Sequence, residues 1–287
     1  MRKVLLATTA LVAISVTGAQ ADVSISGNQN FEMLDNGTAT TWSQDGDIQI
    51  KSTSVTDSGL TLTAAHHINT SAGALDGAAL ADDDGHVDDS YLDIAGDFGS
   101  IRLGDTDDVL DRMDGAMPSN WDEAGNGGFV VGGDGMRASI MLPSVSGATV
   151  YAASSAEGAY SGYGINYANG PVSVVYQTGT NGITDQSLVA VNVTMSGLTV
   201  GFGSGKNDDG TNAANAKTEF SAMGAKYTVN DQFKVYYTSQ KQKGQSTANA
   251  IGGYYQVAPG LQLAAETASS AASPAVTSTY GHVKVSF

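Results

Sequence analysis

The chain has 287 residues, a formal charge of −16, 41% hydrophobic residues and no cysteine. That length suffices for one large domain. The acidity argues against nucleic acid as a partner, and the absence of cysteine excludes a disulfide staple.

The first residues read MRKVLLATTALVAISVTGAQA. Arg2 and Lys3 form a basic start, Val4 to Val16 is mostly apolar, and Ala19-Gln20-Ala21 is a small-x-small cleavage site. These are the parts of a secretory signal peptide. Its apolar run is shorter than the ~20 residues that a membrane helix needs. Residues 1–21 are therefore expected to be removed, leaving 22–287 as one domain; loss of Arg2 and Lys3 takes the formal charge from −16 to −18. No later segment is long and apolar enough for a membrane helix. If this chain meets a membrane, it does so by alternation.

Alternation runs from end to end. Apolar residues at i and i+2 recur as Val23/Ile25, Ile48/Ile50, Leu60/Leu62, Leu92/Ile94, Ile101/Leu103, Ile140/Leu142, Ala148/Val150 and Ile165/Tyr167. They continue as Val172/Val174, Val189/Val191, Leu198/Val200, Tyr227/Val229, Val235/Tyr237, Tyr255/Val257, Leu261/Leu263 and Val283/Val285. Each pair reads as a strand with one apolar face, because strand side chains alternate with period 2. One pair is weak evidence; sixteen in series predict a sheet.

The connections alternate between short and long. Short ones such as Asp57-Ser58-Gly59, Gly96-Asp97-Phe98-Gly99, Asn169-Gly170-Pro171, Ser196-Gly197 and Pro259-Gly260 carry turn residues. Longer polar loops are expected at 35–46, 70–87, 106–133, 154–161, 179–186, 206–217, 241–247 and 268–277. Seven short turns and eight long loops joining sixteen strands put both chain ends on the short-turn side. The final strand ends on Phe287, the last residue, with Val283, Val285 and Phe287 on one face. Unpaired backbone groups cost several kcal/mol each in lipid, so a membrane sheet must close on itself. Spanning strands of ~9–11 residues use about 160 residues and leave about 100 for connections. The reading is an all-β transmembrane barrel of about 16 antiparallel strands around an aqueous bore.

Ser90 to Asp108 reads SYLDIAGDFGSIRLGDTDD. It resembles the strand–turn–strand of Gram-negative general porins, alphaproteobacterial type, most specifically over Gly96–Gly104. The resemblance implies a homotrimer of 16-stranded barrels in the bacterial outer membrane, each passing small hydrophilic solutes and ions. It also implies that the loop at 106–133 folds into the channel and narrows it. The acidic side of that constriction would be Asp107, Asp108, Asp111, Asp114, Asp122 and Glu123. The basic side, on the wall, would be Lys51, Arg102 and Arg137, with Lys226, Lys234 and Lys284 sharing their inward parity. Many family members carry further wall arginines, including one where Met141 stands here. The basic side is thin, and weak cation preference is expected.

Asp82, Asp83 and Asp84 begin a dense acidic loop that suits weak divalent binding, calcium for example, in contact with lipopolysaccharide or another protomer. His66 and His67 are adjacent on a strand and point to opposite faces, so they cannot share a metal in regular geometry. No nucleophile, base and orienting group are spaced as an active site requires, and no organic cofactor or enzyme activity is expected. The rival reading is an exported structural or adhesive β-solenoid, suggested by stretches such as Gly132-Gly133-Asp134-Gly135. No fixed short period supports it.

Overall fold

The computed structural model describes residues 21–69, 72–73, 87–106, 109, 116–121, 135–155, 159–211, 217–271 and 275–287. Sixteen long strands follow one another as β1 Asp22–Asp35, β2 Thr40–Val55, β3 Thr61–Asn69, β4 Val87–Gly96, β5 Gly99–Asp105, β6 Met136–Met141, β7 Ala148–Ser155 and β8 Tyr160–Asn169. The second half is β9 Val172–Asn181, β10 Thr184–Met195, β11 Leu198–Asp208, β12 Lys217–Thr228, β13 Phe233–Gln242, β14 Thr247–Ala258, β15 Leu261–Ser269 and β16 Thr277–Ser286. A two-residue ribbon, Ala72–Gly73, pairs with Ser43–Gln44 of β2. Each of the sixteen apolar pairs lies on its own strand, and in three of them one member (Leu60, Leu142, Val229) sits one residue past the strand end.

All neighbours are antiparallel, and the sheet closes. β16 pairs with β1 from Asn28↔Ser286 to Asp35↔Thr279. The Gly27 and Phe287 backbones exchange both hydrogen bonds, at 3.1 and 3.0 Å. The terminal residue thus completes the wall. This closed sheet overturns the solenoid alternative, which would leave the first and last strands unpaired with each other.

The cross-strand register fixes the barrel's shape. Partners followed from Val23 reach Ser161 on β8. Partners followed from Asn169, eight residues further along β8, reach Asp35 on β1, twelve residues beyond Val23. One circuit therefore climbs twenty residues. With strands ~4.8 Å apart and a rise of ~3.3 Å per residue, sixteen strands and that climb give a tilt of about 40° and a backbone radius of about 16 Å. Such a wall is too wide for its own side chains to fill.

The strands outrun the expected loops on the long-loop side. The first connection is only Asn36–Ala39 rather than 35–46, and the fifth is Gly182–Ile183 rather than 179–186. Apolar alternation marks where lipid ends, but backbone pairing continues into water, so hydropathy underestimates strand length. Turn chemistry at the other end is as expected. Gly99 has φ +103°, and a Cβ there would meet the Met141 backbone, which is why the porin-like turn ends in glycine.

Outward positions carry exposed Val, Ile, Leu, Phe, Tyr and Met all around, including a stacked Phe31–Trp42 pair at 5.3 Å. Several aromatic residues suited to an interfacial girdle lie elsewhere: Tyr160, Phe220 and Tyr280 are buried on inward positions. Parity decides this, since each shares its phase with inward neighbours rather than with its strand's apolar pair.

The outward phase of β16 gives a direct test. Val283→Arg should destabilise the barrel by ~2–4 kcal/mol if the site lies near the bilayer midplane, less nearer an interface. Urea unfolding in lipid vesicles measures this. Lys284→Gln, one residue along and facing the bore, should leave stability nearly unchanged.

Candidate functional site: the narrowed bore

The bore is asymmetric because the connection after β5 turns inward. Its described parts are Thr106, Val109 and Ala116–Trp121, the last four residues forming a short 3-10 turn, Pro118–Trp121. Three contacts with the wall hold this segment. The Val109 backbone N–H donates to Tyr160 Oη on β8 at 3.1 Å. Asn192 Nδ2 on β10 donates to the Ala116 carbonyl at 3.0 Å. Arg137 Nη1 on β6 donates to the Thr106 carbonyl at 2.6 Å.

The wall is shaped to receive the loop. β11 reads Gly201-Phe202-Gly203-Ser204-Gly205, with every glycine on the inward phase. A Cβ at Gly201 would meet the Trp121 ring at 2.6 Å and Pro118 Cγ at 2.8 Å; one at Gly203 would collide with Met117 Sδ. On β12, a Cβ at Gly224 would meet Pro118 and Trp121 at about 3.0 and 3.1 Å. The glycines thus form a trough without side chains in which the loop lies. Around it, Val109, Met117, Tyr160, Val175, Leu188, Ala190, Phe220 and Ala222 form the one apolar cluster among the described residues. An apolar cluster on the inside of an otherwise polar bore is what fastens the loop. Burying Met117 alone accounts for roughly 1.5–3 kcal/mol.

The wall cations are positioned as their parity requires, and Arg102, Arg137, Lys226 and Lys234 each have a neighbour. Arg102 on β5 pairs with Asp93 directly across on β4, Nη2 to Oδ2 at 2.9 Å, and its guanidinium lies 3.8 Å from the Tyr91 ring centroid. Arg137 is buried against Tyr160, 4.9 Å away, and braces the loop base through Thr106. Lys226 stacks over Trp121 at 4.1 Å, and Lys234 lies over Tyr254 at 5.5 Å. Lys51 on β2 and Lys284 on β16 also take inward positions. Elsewhere on the inner wall, Tyr236 donates to Glu266 at 2.6 Å and Tyr280 to Glu32 at 2.8 Å. His67 Nε2 approaches Asp47 Oδ1 at 3.5 Å.

Asp107, Asp108, Asp111, Asp114, Asp122 and Glu123 lie outside the described residues, as do Asp82, Asp83 and Asp84. The residues that anchor the loop (Met117, Trp121, Tyr160, Asn192 and the trough glycines) are not evident from charge or motif. The alternate glycines of 201–205 were the available signal, since three consecutive inward glycines leave room for something else.

A closed antiparallel barrel with an apolar outside, a polar inside and a loop laid against one inner wall is a channel-forming membrane protein. The Gram-negative porin family model matches residues 7–273, and the chain belongs to that family. Family and fold are those of outer-membrane channel proteins. Among solved structures, a variant of the Rhodopseudomonas blastica porin aligns with a TM-score of 0.72 and 19% identity, covering 92% of this chain and 100% of its own. OmpT, an outer membrane protein of Vibrio cholerae, aligns with a TM-score of 0.72 and 14% identity, covering 93% of this chain and 99% of its own. No curated protein matches.

If the glycine trough seats the loop, filling it should unseat the loop. Gly203→Val should leave a heat-modifiable barrel whose single-channel conductance differs from wild type and fluctuates more. The same substitution at Gly281, on an outward position of β16 where a Cβ would meet only the Ala264 carbonyl at 3.6 Å, should change neither. Quiet, wild-type conductance in Gly203→Val would contradict the trough.

Proposed function

We propose that the mature chain, from Asp22 onward, forms an outer-membrane channel for passive diffusion of small hydrophilic solutes and ions, exported by its signal peptide and assembled as a homotrimer. The observation that supports this reading is that Thr106, Val109 and Ala116, from the connection after β5, are held against the inner wall of a bore too wide to fill itself. The Vibrio cholerae OmpT structure is a trimer form, which supports the assembly. Shortening the loop across Asp114–Gly125 should raise single-channel conductance in planar bilayers. Unchanged conductance in an assembled trimer would refute a constricting role.

Weak cation selectivity follows from the charge inventory. Among the described residues the regular inward phase carries Asp22, Glu32, Asp45, Asp47, Asp93 and Glu266 against Lys51, Arg102, Arg137, Lys226, Lys234 and Lys284. These nearly cancel, and outer charges beyond a Debye length of ~8 Å are screened from the narrows. The sign of selectivity then falls to the loop acids, Asp107, Asp108, Asp111 and Asp114 foremost. Changing those four to Asn should shift the reversal potential in a KCl gradient toward anions. Arg102→Gln should shift it the other way by exposing Asp93, and adding Asp93→Asn should restore it. A reversal potential indifferent to all three changes would remove these residues from the selectivity region.

A further inference from the structure

The register places each wall residue in height as well as in angle. At a tilt of about 40°, one residue along a strand rises ~2.5 Å along the barrel axis, and one strand around the wall shifts that height by ~3 Å. On this scale the inward charges are sorted by height. Lys51, Lys226, Lys234 and Lys284 lie toward the short-turn edge, with Lys226 and Lys234 flanking the Val229–Gln232 turn. Glu32, Asp45, Asp47 and Glu266 lie toward the long loops. The mean heights of the two sets differ by about 10 Å.

The other charges on the regular inward phase do not undo this order. Arg102 and Asp93 face each other in register, pair at 2.9 Å and cancel. Arg137 stands at the height of the acids, buried and donating to the Thr106 carbonyl, and offsets one carboxylate there. Asp22 is exposed at the short-turn edge itself, beyond the lysines. Lys226 lies over the Trp121 ring and Lys234 over the Tyr254 ring, and a ring face leaves an ammonium charged. On the acidic side Tyr280 and Ser43 donate to Glu32, and Tyr236 donates to Glu266; these donors are neutral. Asp47 is shared between Asn28 and His67.

A bore with carboxylates toward one end and ammonium groups toward the other treats the two current directions differently. Each tier admits ions of opposite charge and hinders ions of its own. When the long-loop side is positive, cations enter past the carboxylates and anions enter past the lysines, so both accumulate between the tiers. When the sign is reversed, each ion first meets the tier that repels it, and the region between is depleted. From this order of charges we infer that the channel rectifies ion current, conducting better when the long-loop side is positive. The effect depends on where the charges lie along the axis and survives even when their sum is zero, so it is separate from cation or anion preference. It rests on the channel reading proposed above.

The test is the current–voltage curve of the purified oligomer in planar bilayers with the same KCl solution on both sides. The chain has no cysteine, so a biotin on Thr38→Cys, in the exposed β1–β2 hairpin, marks the long-loop side for streptavidin, which is too large to cross. At ~0.1 M KCl the current at equal and opposite voltages should differ by about 1.5-fold or more, larger with the marked side positive. At ~1 M KCl, where the Debye length falls from ~10 Å to ~3 Å, the two currents should become nearly equal. Replacing Lys51, Lys234 and Lys284 together with Gln should bring the low-salt ratio close to one. That variant leaves Lys226 on the loop's Trp121, so its conductance at ~1 M KCl should stay near wild type. Lys206→Gln, on the outward phase of β11, should leave the ratio unchanged. Equal currents at low salt, the opposite polarity, a ratio indifferent to salt, or an unchanged ratio in the triple variant would each overturn the inference while the channel reading stood. Absence of any channel would overturn both.

Discussion

Backbone hydrogen bonding in a medium without water governs this molecule. A peptide N–H or C=O facing hydrocarbon has no solvent partner, so every spanning residue must pair with a neighbouring strand. A flat sheet of sixteen strands would leave two rows of such groups open. Closing β16 onto β1 removes both. Strand number and stagger then set the bore's width, and that width requires something other than wall side chains to narrow it. The inward loop, its glycine seat and the apolar patch that fastens it all follow from the need to close a large sheet.

The two faces of the wall obey opposite rules on the same strands. Outside, apolar side chains face lipid and no charge is tolerated except at the rim. Inside, cations and carboxylates stand in water but are seldom isolated. Arg102 is clasped by Asp93 and Tyr91, and Arg137 donates to the Thr106 carbonyl at the loop base. A wall cation can therefore be held in an ion pair, as Arg102 is by Asp93, or brace the loop, as Arg137 does. Sequence parity alone does not separate these roles.

Much of the fold was legible because period-2 alternation is imposed by lipid at every strand. Val23/Ile25 and Val283/Val285 mark their strands without any tertiary knowledge, and Phe287 marks the closure. Strand ends were less legible, since pairing beyond the membrane leaves no hydropathy signal, as at Gly182–Ile183. The loop anchors were harder still. Met117 and Trp121 are unremarkable in a polar loop, and their partners Tyr160, Asn192 and Gly203 lie far along the chain. Only the wall's geometry brings them together. The partner of Arg102 could have been anticipated, because the Gly96–Gly99 turn sets Asp93 opposite it in register.

The bond exchange between Gly27 and Phe287 also constrains how this protein comes into being. The residues that seal the wall are almost as far apart in sequence as the chain allows, so the seal is among the last contacts that synthesis makes available. Before it forms, any partly paired sheet has two sticky margins, which invite aggregation. Bringing such distant ends together is entropically costly and slow compared with local hairpin formation. A polypeptide built this way cannot mature strand by strand as it emerges. It must travel unsealed and complete itself in one late step.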